Sequence, residues 1–382
     1  MAVNIHIAVN HEVLIWARES IALTKNQASE KIGLSAKRLS QLEEGQKPIT
    51  LDELREFAKA YGRTVATLLL KKPPAEKPLP KDRRTIDSKN VGNFHEKSII
   101  AVRKARALSQ SYIELKQELN IEIPRFKFNA SLNDRPQLVA RRLHQLLNLD
   151  ELKEIKNVND ALEIYIEKVE SLGVAVFQLS LTQDKLRGFS LTDEQIPIIG
   201  IKRGGEPTTA KIFTLFHELG HIILNEGALC DLSEKTVIEV EKWCNAFSGE
   251  IIIPSSELLQ LNIVEEKKES GNKIWAKKEL IELGNYFHAG PLAILRSLLE
   301  NKLTTSTYYN EKHIAWNKPS FGRSKHPEGR NIAKETIKEK GKTYISLAFS
   351  AFDQHRIDLK GLSDFLGIKL SYIPKTRQLL NG

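Results

Sequence analysis

The residues best arranged for chemistry in this 382-residue chain are His217, Glu218 and His221, within the run FTLFHELGHIIL (213–224). Side chains four apart on a helix share a face, so both imidazoles can hold one Zn²⁺, while Glu218 on the adjoining arc can reach a water activated there. That chemistry is metal-assisted hydrolysis, with Glu218 as the catalytic base. An open catalytic zinc needs a third protein ligand. The run VEKWCNAFSGEIIIP (240–254) offers Glu241, and Asn245 lies one turn further along the same face. Glu239 competes with it: the two carboxylates leave one helix on arcs about 200° apart, so only one can face the metal.

Other reactive side chains are less well placed. Only two cysteines occur, Cys230 and Cys244, which excludes a disulfide framework and a cysteine-rich zinc finger and fits a reducing compartment. His288 and Tyr286, at a helix start, are candidates for stabilising an oxyanion. His6, His11, His95, His144, His313, His326 and His355 are scattered and take no role. Gly204–Gly205 stands alone, so there is no glycine-rich phosphate loop, and no Ser/His/Asp order is recognisable.

The elements that must carry these residues read as a mainly helical α+β protein with one small sheet. Helices are expected over 94–119, 134–147, from Asn159 or Asp160 to Gly173, and over 208–225, 234–250 and 277–300. VAVFQL (174–179) and IPIIGIK (196–202) are short, β-rich and bounded by Gly or Pro, so they predict strands. The second is expected to be an edge on which an extended substrate can pair. Residues 330–382 open on a lysine-rich helix and close on ISLAFSAF and LSDFLGIKL, with no visible repeat.

Before this region lies a break in composition. KKPPAEKPLPKDRR (71–84) holds Pro73, Pro74, Pro78 and Pro80, which predicts a stiff, extended linker. Ahead of it, five short helices are expected. Thr24 with Gln27 forms a capping box, Ser35 is a second N-cap, and Gly45 ends the segment that Ser35 starts. Charge is uneven: residues 1–84 carry net +5, residues 85–301 net −4 and residues 302–382 net +8. Basic ends suggest a polyanionic partner and leave the middle for another task. No apolar run approaches the ~18–20 residues of a membrane span, and the N-terminus lacks a signal pattern, so a cytoplasmic protein without membrane contact is expected.

LTKNQASEKIGLSAKRLSQLEEGQKPITLDELREFAKAYG (23–62) resembles the Cro/C1-type (XRE) helix-turn-helix of phage repressors and antitoxins. Ala28, Ile32, Leu34, Leu39 and Leu42 would lock two short helices together, with Gly33 permitting the turn. In such a pair the second helix enters the major groove, so Ala36, Lys37 and Gln41 would face bases, Lys25 would sit near phosphate, and Arg38 and Lys47 would add positive charge. A dimer on palindromic operator DNA would follow.

The His/His/Glu set is similar to that of gluzincins. More specifically, FTLFHELGHIIL followed by E-x-x-C-N-A-F and I-I-I-P resembles the ImmA/IrrE family of metallopeptidases, with FHAGPLAILRSLLENKL (287–303) also fitting. The resemblance selects Glu241 over Glu239 as third ligand and makes Cys244 a small buried position. It departs from the family at Lys211, Ser248 and Gly249. It implies a zinc endopeptidase that cleaves a helix-turn-helix repressor or antitoxin and controls a toxin-antitoxin, prophage or stress-response operon. The alternative is a non-catalytic antitoxin-like repressor that binds operator DNA and a toxin, with zinc only structural. The expected organisation is a helix-turn-helix domain (1–70), the linker (71–84), a gluzincin-like peptidase domain (85–310) and a basic C-terminal region (311–382), and the +8 segment 302–382 could serve as a second contact for DNA or as a cradle for an acidic partner.

Overall fold

The computed structural model describes residues 6–77, 95–181, 186–192, 194–225, 234–316 and 331–380. The chain divides into two compact units, Met1–Lys104 with Ser180–Lys185, and Ala105–Leu179 with Leu186–Gly382.

The first unit holds the five expected helices: α1 (His11–Glu19), α2 (Lys25–Ile32), α3 (Ala36–Glu43), α4 (Leu51–Tyr61) and α5 (Val65–Leu68). A two-residue ladder pairs β1 (His6–Ile7) with β2 (Ile49–Thr50). The helix starts follow from local chemistry. Thr24 and Gln27 cap α2 reciprocally, the Ser35 hydroxyl accepts the Arg38 N–H, and Thr50 with Glu53 caps α4. Gly33 takes φ +79° between α2 and α3, a left-handed conformation that favours glycine. Val13, Leu14, Ala28, Leu39, Leu54, Phe57 and Tyr61 form the buried interior. Within it Arg18 is neutralised by Glu43, with Nε donating to Oε1 at 2.7 Å, and also donates to the Leu23 carbonyl. Removing either partner would strand a buried charge.

The unit boundary falls within α6 (Glu96–Glu118). The second unit continues with α7 (Pro136–Leu146), a 3-10 turn (Leu149–Glu154) and α8 (Val158–Ser171). Asn157 caps α8, two or three residues ahead of the cap expected at Asn159 or Asp160, because its Oδ1 accepts the Asn159 N–H. Three strands follow: β3 (Ala175–Leu179), β4 (Gly188–Leu191) and β5 (Ile198–Lys202), in sheet order β3-β5-β4. β3 runs parallel and β4 antiparallel to β5, with Phe177 and Phe189 both in register with Gly200. The expectation that strand 196–202 is an edge is therefore wrong. β5 is the centre of the sheet, and β4, unforeseen from its four residues, is an edge.

Against the sheet lies α9 (Thr208–Ile223), followed by α10 (Glu234–Ile252), α11 (Ser255–Leu258), α12 (Asn262–Glu269), α13 (Lys277–Tyr286) and α14 (Pro291–Glu300). The single helix expected over 277–300 is broken. His288 has φ +52°, and Pro291 opens the next helix, where its missing N–H costs nothing. α15 (Ser306–Trp316), α16 (Ile332–Lys340), α17 (Lys342–Asp353), α18 (Leu359–Leu366), a 3-10 turn (Leu370–Tyr372) and α19 (Ile373–Leu380) complete the chain. One apolar core joins α7, α8, the sheet, α9, α10, α13 and α14 through Leu143, Val169, Ile199, Phe216, Phe247, Leu283 and Leu295. No helix among the described residues is long and apolar enough to cross a membrane.

Candidate metal centre

α9 is apolar on nearly every side, as a helix embedded in a core must be. That burial fixes the direction of its few polar side chains. His217 and His221 are buried with their rings 4.8 Å apart, and Glu218 between them is only 2% exposed. Glu218 packs below β4, where a Cβ on Gly188 would come within 3.2 Å of its Cγ and 2.5 Å of the Thr214 methyl. Glycine at 188 leaves that room; sequence reasoning missed it, since an isolated R-G-F-S carries little signal.

α10 supplies the third donor because it can approach α9 closely. At the crossing a Cβ on Gly220 would lie 3.1 Å from Cys244 Sγ and 3.4 Å from its Cα, so a larger pair would push the helices apart. α10 is held in place by Trp243, whose indole N–H donates to the Asp134 carbonyl at 2.8 Å and whose ring stacks on Phe247. At its far end Glu250 accepts from Arg141 Nε and from the Ser255 N–H and hydroxyl.

These constraints gather His217, His221 and Glu241, whose donor atoms lie within 4.8 Å of one another. His217 Nε2 is 3.3 Å from Glu241 Oε2, His221 Nε2 is 3.4 Å from Glu241 Oε1, and the two Nε2 atoms are 3.1 Å apart. Four ligands at about 2.0–2.1 Å around tetrahedral zinc are separated by roughly 3.3–3.4 Å, so this donor set fits such an ion. His217 Nδ1 lies 3.1 Å from Asn245 Oδ1. Donating its proton there leaves the Nε2 lone pair directed at the other donors. Glu239 is exposed and outside the cluster.

The other named residues are engaged elsewhere or lie outside the described part. His288 is buried, its Nε2 2.6 Å from the Ile155 carbonyl and its ring edge-on to Tyr165, and the Tyr286 hydroxyl donates to Glu257 Oε1 at 2.7 Å. These bonds anchor the α13–α14 connection, His288 to the Ile155 carbonyl and Tyr286 to Glu257. Cys244 is fully buried at the helix crossing, and Cys230 lies outside the described residues, as do linker residues 78–84.

In the first unit, Ala36 and Lys37 at the start of α3 are exposed and Gln41 is half-buried. Arg38 is tied down: Nε and Nη2 donate to the two Glu53 oxygens at 2.9 Å, and Nη2 also donates to the Pro48 carbonyl. Lys25 is partly exposed and 3.8 Å from Glu44.

Residues 169–298 match the IrrE N-terminal-like domain family, and residues 14–68 match the helix-turn-helix family. No curated protein and no solved structure matches the chain. The chain therefore joins an N-terminal Cro/C1-type helix-turn-helix to an IrrE N-terminal-like metallopeptidase domain that contains the His217, His221 and Glu241 cluster.

Proposed function

We propose that this protein is a DNA-binding regulator whose second part is a zinc endopeptidase, held together as residues 1–70, 71–84, 85–310 and 311–382. The observation that carries the reading is that the two imidazole Nε2 atoms lie 3.1 Å apart and each lies 3.3–3.4 Å from an oxygen of Glu241, with the buried carboxylate of Glu218 on the helix that carries both histidines. His217, His221 and Glu241 hold the ion, and Asn245 orients His217. When bound, zinc supplies the Lewis acidity that polarises a peptide carbonyl and acidifies a water. A carboxylate oxygen of Glu218 takes the proton of the attacking water and returns it to the leaving amine nitrogen, so the base is regenerated. β4 presents a sheet edge directly above Glu218, and an extended substrate pairs its backbone there.

The substrate is a helix-turn-helix repressor or antitoxin, and the regulated operon is of the toxin-antitoxin, prophage or stress-response kind. Operator DNA is bound by α3 through Ala36, Lys37 and Gln41, with Lys25 on phosphate; Arg38 supports α3 through Glu53. The test is cleavage of the repressor or antitoxin encoded beside the gene, followed by mass spectrometry. Glu218→Gln is expected to retain one zinc per chain and lose roughly 100- to 10,000-fold in rate. Undiminished cleavage by Glu218→Gln would reject the mechanism, and zinc binding without any cleavage by the native chain would leave a non-catalytic repressor.

A further inference from the structure

The last thirty residues repeat the frame of the N-terminal helix-turn-helix. Thr24 caps an eight-residue helix, α2, and Asp358 caps another, α18, through its Oδ1 accepting the Gly361 N–H at 2.7 Å. Each helix ends at a left-handed glycine, Gly33 at φ +79° and Gly367 at φ +64°. The residue after each glycine donates its N–H back to a serine carbonyl, Leu34 to Ser29 at 3.0 Å and Ile368 to Ser363 at 3.2 Å. One residue further, Ser35 (φ −70°, ψ 149°) and Lys369 (φ −66°, ψ 150°) open a second helix with nearly the same backbone.

Burial follows the same frame. Counted from the glycine, positions −5, −1, +6 and +9 are Ala28, Ile32, Leu39 and Leu42 in one copy and Leu362, Leu366, Ile373 and Thr376 in the other, all buried. The second helix of the C-terminal copy opens as a 3-10 turn because Pro374 has no N–H to return to Leu370. α17 stands behind this pair, with the Tyr344 hydroxyl donating to the Phe365 carbonyl and Phe349 lying under Arg377.

The exposed face carries positive charge. Leu370, Ser371 and Lys375 occupy the places of Ala36, Lys37 and Gln41, and all three are exposed. Lys369 at the N-cap and Arg356 before α18 are exposed as well, and among the described residues neither these two nor Lys375 has a carboxylate partner. The acids nearby are already used: Asp364 pairs with Lys360, Asp353 with Arg377, and Asp358 is the cap. A cationic face on this frame suits a duplex phosphate backbone, and Leu370 suits a thymine methyl.

We propose that α18 and the helix 370–380 form a second helix-turn-helix, which binds duplex DNA independently of α2 and α3. It goes beyond the proposed function, in which operator DNA is bound through α3 alone, and gives the DNA contact expected of the basic C-terminal region a fold and named residues. The test is binding of the full-length protein to a fluorescent 40-base-pair duplex of random sequence over a salt series. Neutralising Lys369 and Lys375 together (Lys369→Gln with Lys375→Gln) is expected to reduce the slope of log affinity against log salt by about 1.8, and to weaken binding at least about tenfold at low salt. Ser371→Glu, which touches none of the packed positions, weakens it as well. The same change at the exposed pair Lys277 and Lys278 leaves the slope unaltered. Lys37→Ala with Gln41→Ala removes the N-terminal contribution and leaves the C-terminal effect intact, so failure of one copy is told from failure of the other. An unaltered slope and affinity in both C-terminal variants would overturn the proposal and leave this face to a protein partner.

Discussion

The ring of His217 faces two ways, and both directions matter for holding a cation. Nε2 points at His221 and Glu241, while Nδ1 meets Asn245 Oδ1 at 3.1 Å. If the amide fixes the tautomer, its loss frees the ring to rotate and to place a proton on the ligating nitrogen. Asn245→Ala is therefore expected to weaken zinc affinity about 10- to 100-fold while the fold is kept, measured by competition with a chromophoric chelator. Unchanged affinity would remove Asn245 from the site. The adjoining carboxylates separate by position alone: Glu241 faces the histidines, and Glu239, two residues earlier, faces solvent.

Among the elements, α8 and α17 are tied by a buried carboxyl that the proposed chemistry does not use. Glu170 on α8 accepts the Thr343 hydroxyl at 2.5 Å and the Val176 N–H, and Gly341 leaves room beside it. Burial pushes its pKa up to about 8; Glu167 opposes its charge as well, and Lys116 on α6 favours it too weakly to compensate. Between the ordinary carboxylate range and pH 8 the folded state holds a proton that the unfolded chain has lost. The contribution to stability is thus full at about pH 4 and declines as pH rises to about 8. Glu170→Gln keeps the neutral form at every pH. It is expected to melt within about a degree of the native chain at pH 5 and several degrees above it at pH 8.5. Parallel melting profiles would show that Glu170 is ionised when folded. This contact joins residues 173 apart, which explains why nothing in the sequence announced it. What the sequence did display was local: the i, i+4 histidines, the Thr24 and Ser35 caps, and the glycine turn at 33. The order of the strands depends on pairing across the sheet, so β5 was misplaced at an edge. The break at His288 needed a left-handed non-glycine residue, which composition does not mark. The C-terminal repeat stayed hidden because the two copies share a backbone and a burial pattern rather than residues, with Leu362 for Ala28 and Thr376 for Leu42.

At the scale of the whole molecule, the metal donors belong to one compact unit and share its core, whereas the interior of the other is built from Val13, Leu14, Phe57 and Tyr61. An ion that binds only the folded state stabilises the unit that holds its ligands, by about 2.7 kcal/mol when free metal is a hundred times its dissociation constant. For a unit of this size that corresponds to roughly 5–10 °C in melting temperature. Stripping the metal should therefore act on one part of the melting curve. Calorimetry of the full chain is expected to show two transitions, of which a chelator lowers one and added zinc restores it. Glu241→Ala should remove that sensitivity and leave the other transition where it was. If both transitions moved together, the ion's stabilisation would be shared by the whole chain. The helix-turn-helix at residues 14–68 would then depend on metal for its own stability, and DNA binding would become zinc-sensitive without any cleavage.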